Sequence, residues 1–202
     1  RDIADMWVHE SFTAYSEGLF VEYHWGKEAG AEYLRGVRTN INHDRPVVGY
    51  YGVNYAGSGD MYPKGANMLH TLRQVIGDDE KWRSILRGLN KDFYHQTVSG
   101  RQIEEYINKY TEHDLTAFFD QYLRHTTVPT LEYRFLEDEL MYRWANCVDD
   151  FNMPVKVKIN GKTVWLYPSK SWSFYDENIK KRNRLEVDPD FYVASFNLMQ
   201  QK

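Results

Sequence analysis

Near residue 125 the apolar residues of this chain change period, from the three-to-four spacing of helices to the alternation of strands, and one element type cannot satisfy both. Before that point Trp7, Ala14 and Val21, with Tyr15, Leu19 and Tyr23, suit a helix over about residues 5–23, ending near Gly26. Further helices are expected over 27–41, 64–75, 79–93, 100–110 and 115–124. Two starts are explicit. Asp78 precedes an acidic first turn, and Ser99 with Gln102 fits a capping box, in which two side chains satisfy backbone amides that the helix leaves open. Residues 42–61, with Pro46 and the glycines Gly49, Gly52, Gly57 and Gly59, read as a long irregular loop, and loops of that length are often functional.

After Thr126-Thr127-Val128-Pro129, Leu131, Tyr133 and Phe135 alternate with Glu132 and Arg134, and Val155, Val157 and Ile159 with Lys156 and Lys158. Asn160-Gly161 predicts a type I′ hairpin turn, whose two central residues need positive φ, and Asp188-Pro189-Asp190 another turn. The expected fold class is therefore α+β: a helical part over 1–127, then a small antiparallel β-sandwich of six or seven strands over 128–202.

Charge and composition narrow the function. Lys plus Arg number 25 against 29 Asp plus Glu, a net charge of −4, which gives no electrostatic reason to expect a nucleic-acid partner. The acidity belongs to residues 1–125, which also hold all seven histidines: His9, His24, His43, His70, His95, His113 and His125. The single cysteine, Cys147, excludes an internal disulfide and a cysteine zinc cluster, and reads as a buried or half-buried thiol in a strand. No apolar run approaches the roughly 18 to 20 residues that cross a bilayer, and the compartment stays open between cytoplasmic and secreted or periplasmic. Lys180-Lys181-Arg182, close to Asp176-Glu177, reads as a solvated hairpin tip. Trp165, Trp172, Phe174 and Tyr175 are more simply core residues than a carbohydrate platform.

His9-Glu10 invites a zinc-protease reading, because HExxH on a helix sets two histidines one turn apart on a metal. The fifth position here is Thr13, and no pair of histidines stands at that spacing. The wider stretch Asp5-Met6-Trp7-Val8-His9-Glu10-Ser11-Phe12-Thr13-Ala14-Tyr15-Ser16-Glu17 instead resembles the segment that follows HExxH in peptidase family M1, the gluzincin aminopeptidases. A second stretch, Met61-Tyr62-Pro63-Lys64-Gly65-Ala66-Asn67-Met68-Leu69, resembles that family's Y-x-K-G-A-x-x-L element. Looser likeness continues through Thr97-Val98-Ser99, Asp114 to Leu123 and Val128 to Tyr133.

The resemblance implies the helical C-terminal half of a thermolysin-like zinc peptidase domain, followed by a β-sandwich. It also implies roles. Glu10 would be the third ligand of one Zn2+, Tyr62 would donate a hydrogen bond to the oxyanion of the tetrahedral intermediate, and Glu17, two turns beyond Glu10, would orient a ligand histidine. His9 would fall at the variable position before the ligand. The HExxH and G-x-M-E-N elements of the family are absent, so the chain, which opens with Arg1 and runs within ten residues into Trp7-Val8-His9-Glu10, reads as a piece cut between the HExxH helix and the helix of Glu10. Alone it is expected to bind zinc poorly and hydrolyse nothing. Its partners would be peptide substrates held by their free amino terminus and the missing N-terminal part of the same protein. An apolar face left on residues 1–75 would also give the piece a route to self-association. The substrate-binding residues and the preferred amino-terminal residue are not legible. The alternative is a non-catalytic scaffold or interaction module related to the family. Retention of both Glu10 and Tyr62 weighs against it.

Overall fold

A computed structural model describes residues 2–111, 113–136, 139–176 and 184–200. The chain divides into two compact units, Arg1–Thr126 and Thr127–Lys202. The first is helical. Helix α1 (Trp7–Trp25) follows a 3-10 turn at Ile3–Asp5 and buries Trp7, Ser11, Tyr15 and Gly18, four, four and three positions apart, as one helix face requires. The expected stripe is displaced: Ala14, Leu19 and Val21 are half-buried and Tyr23 is exposed. Small residues at 11 and 18 account for this, because they let neighbouring helices approach closely and leave the larger apolar side chains on the flanks. Helix α2 (Lys27–Gly36), extended by a 3-10 turn over Val37–Asn40, sets Leu34 against Gly18.

Helix α3 (Pro63–Ile76) is the hub of this unit, buried at every position from Lys64 to Val75. A helix buried on all sides is ordinarily apolar all round. This one carries Lys64, Asn67, His70, Thr71, Arg73 and Gln74, so its polar groups must be met inside the protein. Asn67 donates to the carbonyls of Leu34 and Pro63 at 2.8 and 2.9 Å. Thr71 donates to Asn67 O at 2.8 Å. Arg73 grips both carboxylate oxygens of Glu22 and reaches Asp79 at 2.8 Å.

Helix α4 (Asp79–Asp92) is capped by Asp78, which accepts from Glu80 N and Lys81 N, and α5 (Gly100–Lys109) by the reciprocal box of Ser99 and Gln102. The helix expected over 115–124 is instead one α turn, α6 (Thr116–Phe119), running into a π turn at Asp120–Arg124. The carbonyl of Leu123 there accepts from the Val47 and Val48 amides of the long loop.

The second unit holds seven strands among the described residues. A four-stranded sheet is ordered β5 (Ser173–Phe174), β2 (Glu139–Ala145), β1 (Thr130–Leu136), β7 (Ala194–Asn197), and a three-stranded sheet β4 (Lys162–Leu166), β3 (Val155–Ile159), β6 (Leu185–Val187). Leu131, Tyr133 and Phe135 turn inward with Leu140, Tyr142 and Trp144 opposite them. Tyr133 reaches across to donate to Leu185 O of the other sheet at 3.4 Å. The hairpin at Asn160-Gly161 has φ of 50° and 88°, as that turn demands.

The α+β class stands, with one amendment to the antiparallel expectation: β7 pairs with β1 in parallel, Thr130 opposite Ala194. The chain has by then built the three-stranded sheet, so the connection far exceeds the dozen or so residues that a parallel pair needs. Trp165 lies on the three-stranded sheet, edge-on to Phe191, whereas Trp172 stacks with Arg134 and Arg143, which β1 and β2 of the other sheet carry. None of the four belongs to the buried core expected for them, Phe174 being 54% exposed, and Trp165 stands on a different sheet from the strand that holds Phe174. Cys147 is half-buried in the bend after β2, not in a strand, and desolvation raises its thiol pKa. The basic run at 180–182 lies outside the described residues. No helix among them is long and apolar enough to cross a membrane.

Candidate functional site

Glu10 stands in the first turn of α1, where the positive end of the helix dipole favours a carboxylate. Tyr62 occupies the junction between a 3-10 turn over Gly59–Met61 and the first residue of α3, Pro63, whose fixed φ suits a helix start. The long loop is pinned on the way there. Ser58 Oγ accepts from Asp60 N, and the buried Asp60 carboxylate takes the amides of Asn42 and His43 at 2.8 Å each. Gly57, at φ 76°, passes so close to Val47 that a Cβ would lie 2.3 Å from its carbonyl oxygen.

Helices α1 and α3 then bring the two elements together. The buried Ser11 hydroxyl donates to the carbonyl of Met61 at 2.8 Å, fifty positions away in sequence. Beside that bond the Tyr62 phenol lies within electrostatic reach of the Glu10 carboxylate. Its pKa is raised above 10.0, by desolvation first and then by the charge of Glu10 and a hydrogen bond to it. Tyr62 nevertheless remains 47% exposed and Glu10 half-buried, so the pair faces outward. A phenol held in this way is protonated at neutral pH, the state that can donate.

The other named residues fall elsewhere. Glu17 is exposed and accepts from Tyr33 on α2 at 2.6 Å, an interaction that raises the Tyr33 pKa. It lies about 10 Å along the helix axis from Glu10. His9 is exposed; His24 stacks on Phe20 with ring centroids 4.5 Å apart. His70 is buried within α3.

Among the described residues no three His, Cys, Asp or Glu side chains converge as a metal-holding group. Glu10 offers a carboxylate of the right chemistry for zinc, but a catalytic zinc site takes three protein ligands. Among the described residues Glu10 is thus one carboxylate of that chemistry, with no second ligand gathered beside it.

Two features near the site escape sequence reasoning. Lys64 is 1% exposed, its ammonium donates to His125 O at 2.6 Å, and desolvation lowers its pKa to about 8 against the opposing pull of Asp60. A lysine in a motif gives no sign of such burial, since lysine is almost always exposed. The second is the contact of Ser11 with Gly65. Its signal is faint but present: Trp7, Ser11 and Tyr15 stand four apart, and a serine between two large aromatics on one face leaves room for a close neighbour.

No family model matches the chain. It is similar to Aminopeptidase N of Lactococcus lactis subsp. lactis, 24% identical over 151 residues, an overlap that takes in 68% of this chain and 18% of that protein. The chain thus spans under a fifth of the length of this curated relative.

Proposed function

We propose that this chain is part of a zinc metallo-aminopeptidase of the gluzincin type, which removes amino-terminal residues from peptides. The observation that most supports the reading is the bond from the Ser11 hydroxyl to Met61 O, which ties together the chain neighbours of Glu10 and Tyr62, a carboxylate and a phenol from separate motif-like segments. The likeness to Aminopeptidase N points the same way. In this proposal Glu10 is one of three protein ligands of the metal, and the two histidines come from residues outside this chain. Zinc supplies Lewis acidity in such a site. Tyr62 donates its phenolic hydrogen bond to the oxygen of the scissile carbonyl as negative charge develops on it. Glu17, held by Tyr33, orients a ligand histidine of the completed site. Peptide substrates enter by their free amino terminus, and the rest of the same protein completes the pocket.

The test uses the parent enzyme. Glu10→Gln is expected to lower bound zinc, read by elemental analysis, and to abolish hydrolysis of an amino-acid amide. Tyr62→Phe is expected to keep the zinc and lose about 100- to 1000-fold in kcat, the usual cost of one oxyanion donor. A Tyr62→Phe enzyme with unchanged kcat removes Tyr62 from the reaction. Tight one-to-one zinc in the isolated 202-residue chain overturns the ligand assignment.

A further inference from the structure

Ser11 and Gly65 sit where α1 and α3 cross, each next to or near a residue of the candidate site: Ser11 follows Glu10, and Gly65 lies one turn into the helix that Tyr62 begins. The crossing is unusually tight. A Cβ on Gly65 would fall 1.9 Å from Ser11 Oγ, 2.5 Å from its Cβ and 3.2 Å from its Cα. Ser11 is 0% exposed, and its hydroxyl is spent on Met61 O, the carbonyl directly before Tyr62. We infer that Ser11 and Gly65 are positioning residues, a size-matched pair that sets how closely the start of α3 approaches α1 and thereby where Tyr62 stands relative to Glu10.

The physical steps are short. Tyr62 has little freedom of its own, because Ala66 N donates to its carbonyl at 3.0 Å and Pro63 fixes the next φ. Its Cα therefore travels with the first turn of α3. Adding a methyl at 65 requires that turn to move off α1, since the nearest atoms belong to a short buried side chain and to backbone rather than to a flexible tip. Removing the hydroxyl at 11 leaves the helices free to close but takes the donor from a carbonyl one residue from Tyr62. A donor must lie within a few tenths of an ångström of its working distance to an oxyanion, and a displacement of about 1 Å costs on the order of 100-fold in rate.

The kinetic arm of the test rests on the peptidase reading, and the structural arm does not. In the parent enzyme Gly65→Ala is expected to lower kcat by about 100-fold with KM nearly unchanged. Ser11→Gly combined with Gly65→Ala removes the two closest atoms but also the donor to Met61 O, and should recover kcat only to the level of Ser11→Ala. Ser11→Ala, a mild change that keeps the fold, should lower kcat without raising KM. Crystal structures of the parent protein form the second arm: in Gly65→Ala the start of α3 moves off α1 and carries the Tyr62 hydroxyl away from Glu10, and in the double variant it returns. If Tyr62 keeps its place relative to Glu10 in Gly65→Ala, or if kcat is unchanged in both Gly65→Ala and Ser11→Ala while Tyr62→Phe is impaired, the inference fails. If Tyr62 moves as expected but Tyr62→Phe and Glu10→Gln leave activity intact, the roles given to Glu10 and Tyr62 fail and the positioning contact stands; if the parent protein hydrolyses no amino-acid amide, the peptidase reading itself fails.

Discussion

Every buried polar or charged residue among those described belongs to the helical unit: Asp5, Ser11, Ser58, Asp60, Lys64, Asn67, His70, Thr71, Arg73, Gln74 and Gln121. The β unit buries aliphatic and aromatic residues instead, and two of its polar tips go to backbone carbonyls, Tyr133 Oη to Leu185 O and Trp144 Nε1 to Met153 O at 2.9 Å. The difference is one of tolerance. An apolar core accepts many side chains of the right volume, whereas a satisfied polar network accepts few, because each group left alone inside the protein costs the full desolvation of that group. The unit that carries Glu10 and Tyr62 is the one built on the unforgiving kind of interior.

The sharpest way to break that contrast is to remove the centre of the network. Arg73 is 4% exposed in its side chain and bonds Glu22 and Asp79 together. Arg73→Met strands both carboxylates and is expected to cost the helical unit about 3 to 5 kcal/mol, read as the urea midpoint of helical circular dichroism. The same network predicts an acid limit. Arg73 first, and then Lys27, hold the Asp79 carboxyl well below the usual carboxylate range. Its folded pKa is depressed, so its stabilisation is present above the unfolded value of 3.8 and is lost as pH falls through the folded one. Arg73→Met should flatten that acid loss as well as lower the plateau.

Lys64 gives the next largest effect, with the opposite slope. Its pKa falls from 10.5 to about 8 on folding, so between those values the unfolded chain binds more protons and stability rises with pH. The gain is about 3 kcal/mol across that window. Tyr15 and Tyr51 work against it higher up: folding raises both to about 12, so what they contribute is complete below 10 and declines as pH climbs towards 12. Urea midpoints of the helical unit should therefore climb from pH 8 to about 10 and then fall. Lys64→Met should abolish the climb and keep the fall. A climb that survives the substitution assigns it to another group.

What the sequence disclosed divides along the same line. Helix starts at Asp78 and Ser99 and the turn at Asn160-Gly161 were legible because each is decided by residues within one turn of itself. The alternation of β1 and β3 was legible because one face of each strand is buried. Illegible were the features set by distant partners: the parallel pairing of β7 with β1, the π turn whose last carbonyls are taken by a loop and by Lys64, and the displaced stripe of α1. Glu10 and Tyr62 could be named from motif resemblance, but nothing in their spacing says that they lie within reach of each other. That depends on Ser11 and Gly65, two small residues whose importance lies in what they leave out.

The smallest expected effect is the difference between two matched substitutions, one in each interior. Asn67 and Leu131 are both 0% exposed; Met for Leu is close to volume-conserving, and Leu for Asn keeps the branched outline of the side chain while adding bulk. Leu131→Met, in the β unit, should cost less than about 1.5 kcal/mol, since the core around Phe135 and Trp144 exchanges one apolar shape for another. Asn67→Leu should cost about 3 kcal/mol, because it removes two donated bonds to Leu34 O and Pro63 O and one accepted from Arg38 Nε at once. The two are best compared residue by residue through native-state hydrogen exchange, which reports each unit separately even if both melt together. Equal losses would show that the polar interior is no less tolerant than the apolar one. A loss of protection confined to α2 and α3 in Asn67→Leu would trace the cost to the bonds named here rather than to general loosening of the helical unit.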